Sequence, residues 1–172
     1  MITEPHFESE KELENAIATA VQSAAGRTGR AVVLRGFGLD LAVFSEGVVT
    51  SRACFLEIKA FSQDHGRCGI GNGRGEGNQI RLLFDEAANA PRDQSQLSVF
   101  DRTVRWVLGN RSAPIGSPRF LFFTCKQAQD VAMAGVRPGK QNNLNLSRFK
   151  DGDWIAWPAL IDNIVEFING AG

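Results

Sequence analysis

The run ACFLEIKAF, residues 53–61, is apolar and β-prone, yet it carries a carboxylate and an ammonium two residues apart. LDLAVF (39–44) precedes it, and Ser45, Glu46 and Gly47 between the two runs form a turn signal. The whole stretch 39–61 therefore predicts a β-hairpin. Side chains alternate faces along a strand, so Glu57 and Lys59 project together, beside Phe55 and Phe61. Cys54, Leu56, Ile58 and Ala60 fill the opposite face. Burying either charge alone is costly, so such a pair needs a partner or a task. Asp40, on the preceding strand, supplies a second carboxylate.

Two carboxylates that meet across neighbouring strands can hold a hard divalent cation such as Mg²⁺, which takes oxygen ligands and keeps several waters. Such an ion polarises a phosphoryl oxygen and acidifies a bound water. Lys59 beside it would orient that water or stabilise charge on the phosphate. The same residues also suit a purely structural Asp/Glu–Lys cluster at a sheet edge. Spacing alone does not separate the two.

Asp40, then a short turn, then Glu57, Ile58 and Lys59 at the end of an apolar strand resembles the PD-(D/E)XK nuclease superfamily. That superfamily includes restriction enzymes, Holliday-junction resolvases and repair and defence nucleases. The resemblance covers roughly residues 9–125. It implies an α/β fold with an αβββαβ restriction-endonuclease-like core, a central mixed sheet flanked by helices, and here an extra C-terminal helix. It also implies Mg²⁺-dependent hydrolysis of phosphodiester bonds, with Mn²⁺ as a possible substitute. Asp40 and Glu57 match the metal ligands, Ile58 the backbone carbonyl that often joins them, and Lys59 the catalytic lysine. Leu39 replaces the motif's proline, a mild departure. A first-helix glutamate often completes such a site, which points to Glu14 ahead of Glu10. A glutamine or lysine on the helix after the E-x-K strand can support it, which points to Gln79, with Arg81 nearby.

At 172 residues the chain is long enough for one domain with a substantial core. No apolar stretch approaches transmembrane length, and the acidic, polar start MITEPHFESEKELE is unlike a signal peptide. Cys54, Cys68 and Cys125 are too few and too scattered for a disulfide framework or a CxxC zinc site, so the expected compartment is a reducing cytoplasm. Formal net charge is zero, which excludes a global basic field for nucleic acid but not a local groove. Fourteen of the 19 basic residues are arginine, suited to bidentate phosphate or base contacts.

Residues 9–25 predict an amphipathic helix. Ser9 and Glu12 form a capping box, and Leu13, Ile17, Ala20, Val21 and Ala24 make the apolar stripe. Glu10 and Glu14 lie beside that stripe, where they would equally suit the helix dipole. Residues 31–35 predict a first strand. Residues 62–79 carry glycine at 69, 71, 73, 75 and 77 without a Walker A or GxGxxG pattern, and predict a mobile loop. With His65, Arg67 and Arg74 that loop would either wrap a nucleic-acid backbone or simply be flexible. Helices are expected over 78–90 and 94–108, the second with Leu97, Phe100, Val104 and Val107 inward. Arg102, Arg105 and Arg111 form either a phosphate-binding face or a solvated one.

Residues 119–125, RFLFFTC, predict a strand buried on both faces and central in a mixed sheet. A short helix is expected over 126–134. Residues 136–153 are polar and rich in Asn and Gly, and Arg137 and Lys140 make them a second candidate for nucleic-acid contact. A helix over 157–169 closes the fold, with Pro158 in its first turn. The division is thus a single domain over 1–172, its core at about 9–125 and a C-terminal extension at 126–172.

These features predict a small nuclease acting on DNA in preference to RNA. It would bind nucleic acid through Arg67, Arg74, Arg81, Arg137 and Lys140, with no membrane partner, as a homodimer or part of a larger defence or repair complex. The alternative is a catalytically silent binding or assembly module with the same fold. A nucleotide site in the glycine loop ranks last, because it has no recognised fingerprint.

Overall fold

The computed structural model describes residues 3–25, 31–34, 40–45, 53–62, 66–71, 79–133, 135–137 and 139–170. Its elements, in chain order, are α1 (Glu10–Ala25), β1 (Ala31–Leu34), β2 (Leu41–Ser45), β3 (Ala53–Phe61), β4 (Arg67–Gly71) and α2 (Ile80–Leu83). They continue with β5 (Phe84–Asp85), β6 (Ala90–Pro91), α3 (Gln94–Asp101), β7 (Val104–Asn110), β8 (Phe120–Phe123), α4 (Cys125–Val131), β9 (Asn142–Asn145) and α5 (Trp157–Ile168). The expected hairpin pairing is present: β2 and β3 run antiparallel, with Leu41 opposite Leu56 and Val43 opposite Cys54. Its turn lies largely outside the described residues, as do His65 and Arg74.

A mixed five-stranded sheet in the order β1-β2-β3-β7-β8 forms the centre. β1 to β3 are an antiparallel meander, β7 joins β3 in parallel, and β8 closes the far edge antiparallel to β7. Strand alternation divides the apolar side chains between two layers. On one face Cys54, Leu56, Ile58, Val107 and Phe120 pack with Leu13, Ile17 and Val21 of α1 and Leu160, Ile161 and Ile164 of α5. On the other, Phe61, Trp106, Leu108, Leu121 and Phe123 pack with Leu83, Leu97 and Ala128 from α2, α3 and α4. The described residues after 125 are integral to both layers, since α5 covers the first and β9 pairs with β4 beside the second.

Several expectations are corrected. Part of the glycine-rich segment is ordered as β4, antiparallel to β9, with Cys68 and Ile70 buried. A register shift between Gly69 and Gly71 accommodates it, and Gly71 sits at φ +83, where glycine alone is unstrained. The helix expected over 78–90 lasts only through Ile80–Leu83. The Asp85 carboxylate accepts from the backbone N–H of Ala87 and Ala88, a local turn that competes with helical pairing. The helix expected over 94–108 stops at Asp101, and Val104–Asn110 is a strand. Strand β8 is terminal rather than central. Its apolar faces are covered instead by α5 on one side and by Phe149 on the other.

Candidate metal and phosphodiester site

Asp40 stands immediately before β2, opposite the middle of β3. Its Oδ2 accepts the Ile58 backbone N–H at 2.6 Å, which anchors the carboxylate where β2 begins. Two positions along β3, Glu57 and Lys59 lie on one face, as alternation requires. Lys59 Nζ stands 2.8 Å from Glu57 Oε1 and 3.7 Å from Asp40 Oδ2. The ammonium also donates to the Ile58 carbonyl at 3.0 Å and to Glu10 Oε1 at 3.0 Å. Asp40, Glu57 and Lys59 therefore converge, and the Ile58 carbonyl faces the same ammonium.

The contribution of α1 differs in emphasis from expectation. Glu10 and Glu14 are one helical turn apart, so they share a face. Leu13 and Ile17 pack that helix against the sheet and bring the face to Asp40. Glu10 makes the direct contact with Lys59, whereas Glu14 pairs with Lys11 at 3.3 Å. One oxygen each from Glu10, Glu14 and Asp40 nevertheless lies within 4.8 Å of the other two. The expectation put Glu14 ahead of Glu10, but the docking of α1 gives Glu10 the contact with Lys59.

Glu57 is fully buried, and among the described residues neither of its oxygens accepts a hydrogen bond. The close contact with Lys59 is an ion pair without hydrogen-bond geometry. Burial pushes the Glu57 carboxyl up to about 8, against the opposing pull of Lys59 and with the help of the Asp40 charge. Burial likewise raises Glu10, again opposed by Lys59. For Lys59 burial acts to lower the value, but Glu57, Asp40 and Glu10 together hold it above that of an ordinary lysine.

The donor set is all oxygen, as a hard cation such as Mg²⁺ requires. A buried carboxylate lacking hydrogen bonds is also the kind of group a cation satisfies. The carboxylates whose spacing suits such an ion are Glu10, Glu14 and Asp40, while Glu57 faces the Lys59 ammonium beside them.

The other predicted positions are more dispersed. Gln79 precedes α2 without capping it, and its Oε1 lies where a side chain on Gly71 would meet it at 3.6 Å. Among the described residues no hydrogen bond joins it to the acidic cluster. Arg67, Arg137 and Lys140 are exposed, and Arg81 is exposed and paired with Glu86 at 3.1 Å. Of the supposed arginine face, Arg105 instead stacks 4.1 Å over the Phe167 ring and donates to backbone carbonyls. Arg111 donates to the Glu8 carbonyl.

Sequence reasoning missed Arg119. Its side chain is almost wholly buried, pairs with Glu4 at 2.5 Å and donates to the Pro5 carbonyl at 2.8 Å. With Arg111 it ties the segment ahead of α1 to the β7–β8 end of the sheet, and so helps to place Glu10. Its only signal was a charged residue opening an otherwise apolar run. Compared with known family models, curated proteins and solved structures, the chain matches none.

Proposed function

We propose that this chain is a metal-dependent phosphodiesterase: a nuclease cutting DNA in a restriction, repair or defence system. The observation that carries the reading is the convergence of Asp40, Glu57 and the Ile58 carbonyl on the Lys59 ammonium. The order α1, β1-β2-β3, α3, β7, with an antiparallel meander and β7 parallel to β3, supports the αβββαβ core that the resemblance implies.

Asp40, Glu57 and the Ile58 carbonyl would hold Mg²⁺ or Mn²⁺, with Glu10 and Glu14 alongside. Such an ion, when bound, would supply Lewis-acid chemistry to a phosphoryl oxygen and a coordinated water. Lys59, once drawn off its carboxylate partners, would orient the attacking water or balance charge on the phosphoryl oxygens. Arg67, Arg137 and Lys140 are exposed, and would contact the flanking backbone.

The test is cleavage of supercoiled plasmid, single-stranded DNA and single-stranded RNA with Mg²⁺ or Mn²⁺, by wild type, Asp40→Ala and Lys59→Ala. Metal-dependent cutting by wild type, reduced by about 100-fold or more in each variant, is expected. Cutting that survives both substitutions, or persists in EDTA, would remove the assignment. Metal-independent binding without cleavage would favour the silent module of the same fold.

A further inference from the structure

The Lys59 ammonium contacts oxygens of Glu57, Glu10, Asp40 and the Ile58 carbonyl at 2.8, 3.0, 3.7 and 3.0 Å. Asp40, Glu57 and Ile58 are also the residues that the nuclease reading assigns to the divalent ion. An ammonium and a divalent ion cannot both sit among these oxygens, because like charges a few ångströms apart in so dry a site repel strongly. We propose that Lys59 is the resident cation of this cluster, and that a divalent ion enters by displacing its ammonium. The inference rests on the metal site of the nuclease reading.

Three features of the site make such an exchange workable. Asp40 keeps its hydrogen bond from the Ile58 N–H whether or not the lysine is present, so this ligand stays in place. Glu57 is fully buried and its close polar neighbour is the Lys59 ammonium, so a cation that replaces the ammonium takes over that contact. Lys59 carries its charge on a flexible four-carbon stem, able to swing aside without moving β3. Exchange keeps a cation against the carboxylates in both states. It also releases the ammonium toward a phosphate only after the ion has arrived, which couples loading to readiness.

The experiment is Mn²⁺ titration, by calorimetry, of wild type and Lys59→Met at equal protein concentration. Removing the competitor is expected to tighten Mn²⁺ binding by about tenfold or more. The variant's melting temperature should also gain more from saturating Mn²⁺ than that of wild type. A folded variant that binds Mn²⁺ equally or more weakly overturns the proposal and leaves the metal site standing.

If Lys59→Met does not fold without metal, wild type alone decides. Lys59 is 7% exposed, and acetic anhydride labelling read by mass spectrometry should spare it in EDTA and modify it in saturating Mn²⁺. Equal protection in both conditions overturns the displacement. Failure of both proteins to bind Mn²⁺ at millimolar concentration removes the metal site, and the displacement with it.

Discussion

At the scale of single residues, the site is defined by a conflict that Glu57 cannot resolve alone. Its carboxyl titrates at about 8 in the folded chain, against an ordinary 4.5. Below about pH 4.5 it is protonated in both folded and unfolded states and costs nothing. Between about 4.5 and 8 the unfolded chain releases the proton while the folded chain keeps it, so this group lowers stability progressively as pH rises. Above about 8 the loss is complete.

Glu57→Gln is therefore expected to raise the melting temperature in EDTA, slightly near pH 4.5 and by up to a few kcal/mol of stability near pH 8. Thermal melts at the two pH values check this, and an equal shift at both would refute the burial account. The same variant should lose most Mn²⁺ affinity, the pattern of a residue retained for function at the expense of stability.

Asp40, Glu57 and Lys59 were legible in the sequence because charges in an apolar strand are conspicuous and alternation fixes their common face. The choice between Glu10 and Glu14 was not. Both flank one stripe, and only the docking of α1 on the sheet decides which reaches Lys59.

At the scale of elements, reading succeeded where periodicity was unambiguous, as in α1, β3 and α5. It failed where two periods share residues. Leu97, Phe100, Val104 and Val107 recur at helical spacing, but Trp106 and Leu108 are buried as well. Burial of 104, 106, 107 and 108 together belongs to a strand covered on both faces, and the pairing of β7 with both β3 and β8 overrides the helical pattern. The pairing of β4 with β9 joins segments some seventy residues apart, beyond the reach of local pattern.

The packing of α1 has its own test. A methyl group on Gly109 would come within 2.6 Å of Leu13 Cδ2 and 2.8 Å of Phe7 Cζ, both in the closed core beneath α1. Gly109→Ala is expected to cost about 1–3 kcal/mol by overpacking, read as a lower urea midpoint. If relief comes from a shift of α1 and not from rotation of the Leu13 and Phe7 side chains, Mn²⁺ affinity falls with it. An unchanged midpoint would show that α1 is not seated as described.

At the scale of the whole molecule, the central sheet holds the site between elements distant in sequence. β2 and β3 supply Asp40, Glu57 and Lys59, while α1 brings Glu10 and Glu14 across the edge. Arg119 and Arg111 fasten the chain before α1 to the β7–β8 end of the sheet, level with the end of β3. Among the described residues no helix is long and apolar enough to cross a membrane. On the nuclease reading, the neutral net charge would leave recognition to exposed groups such as Arg67, Arg137 and Lys140.

The central claim is that these oxygens form one divalent-cation site, and its most direct test is an anomalous difference map from crystals soaked in Mn²⁺ above about pH 8, where Glu57 has released its proton. The account predicts a peak at about 2.1–2.3 Å from oxygens of Asp40 and Glu57 and the Ile58 carbonyl, with the Lys59 ammonium moved off them. A soaked crystal with Lys59 still seated on Glu57 and no peak beside Asp40 would contradict it.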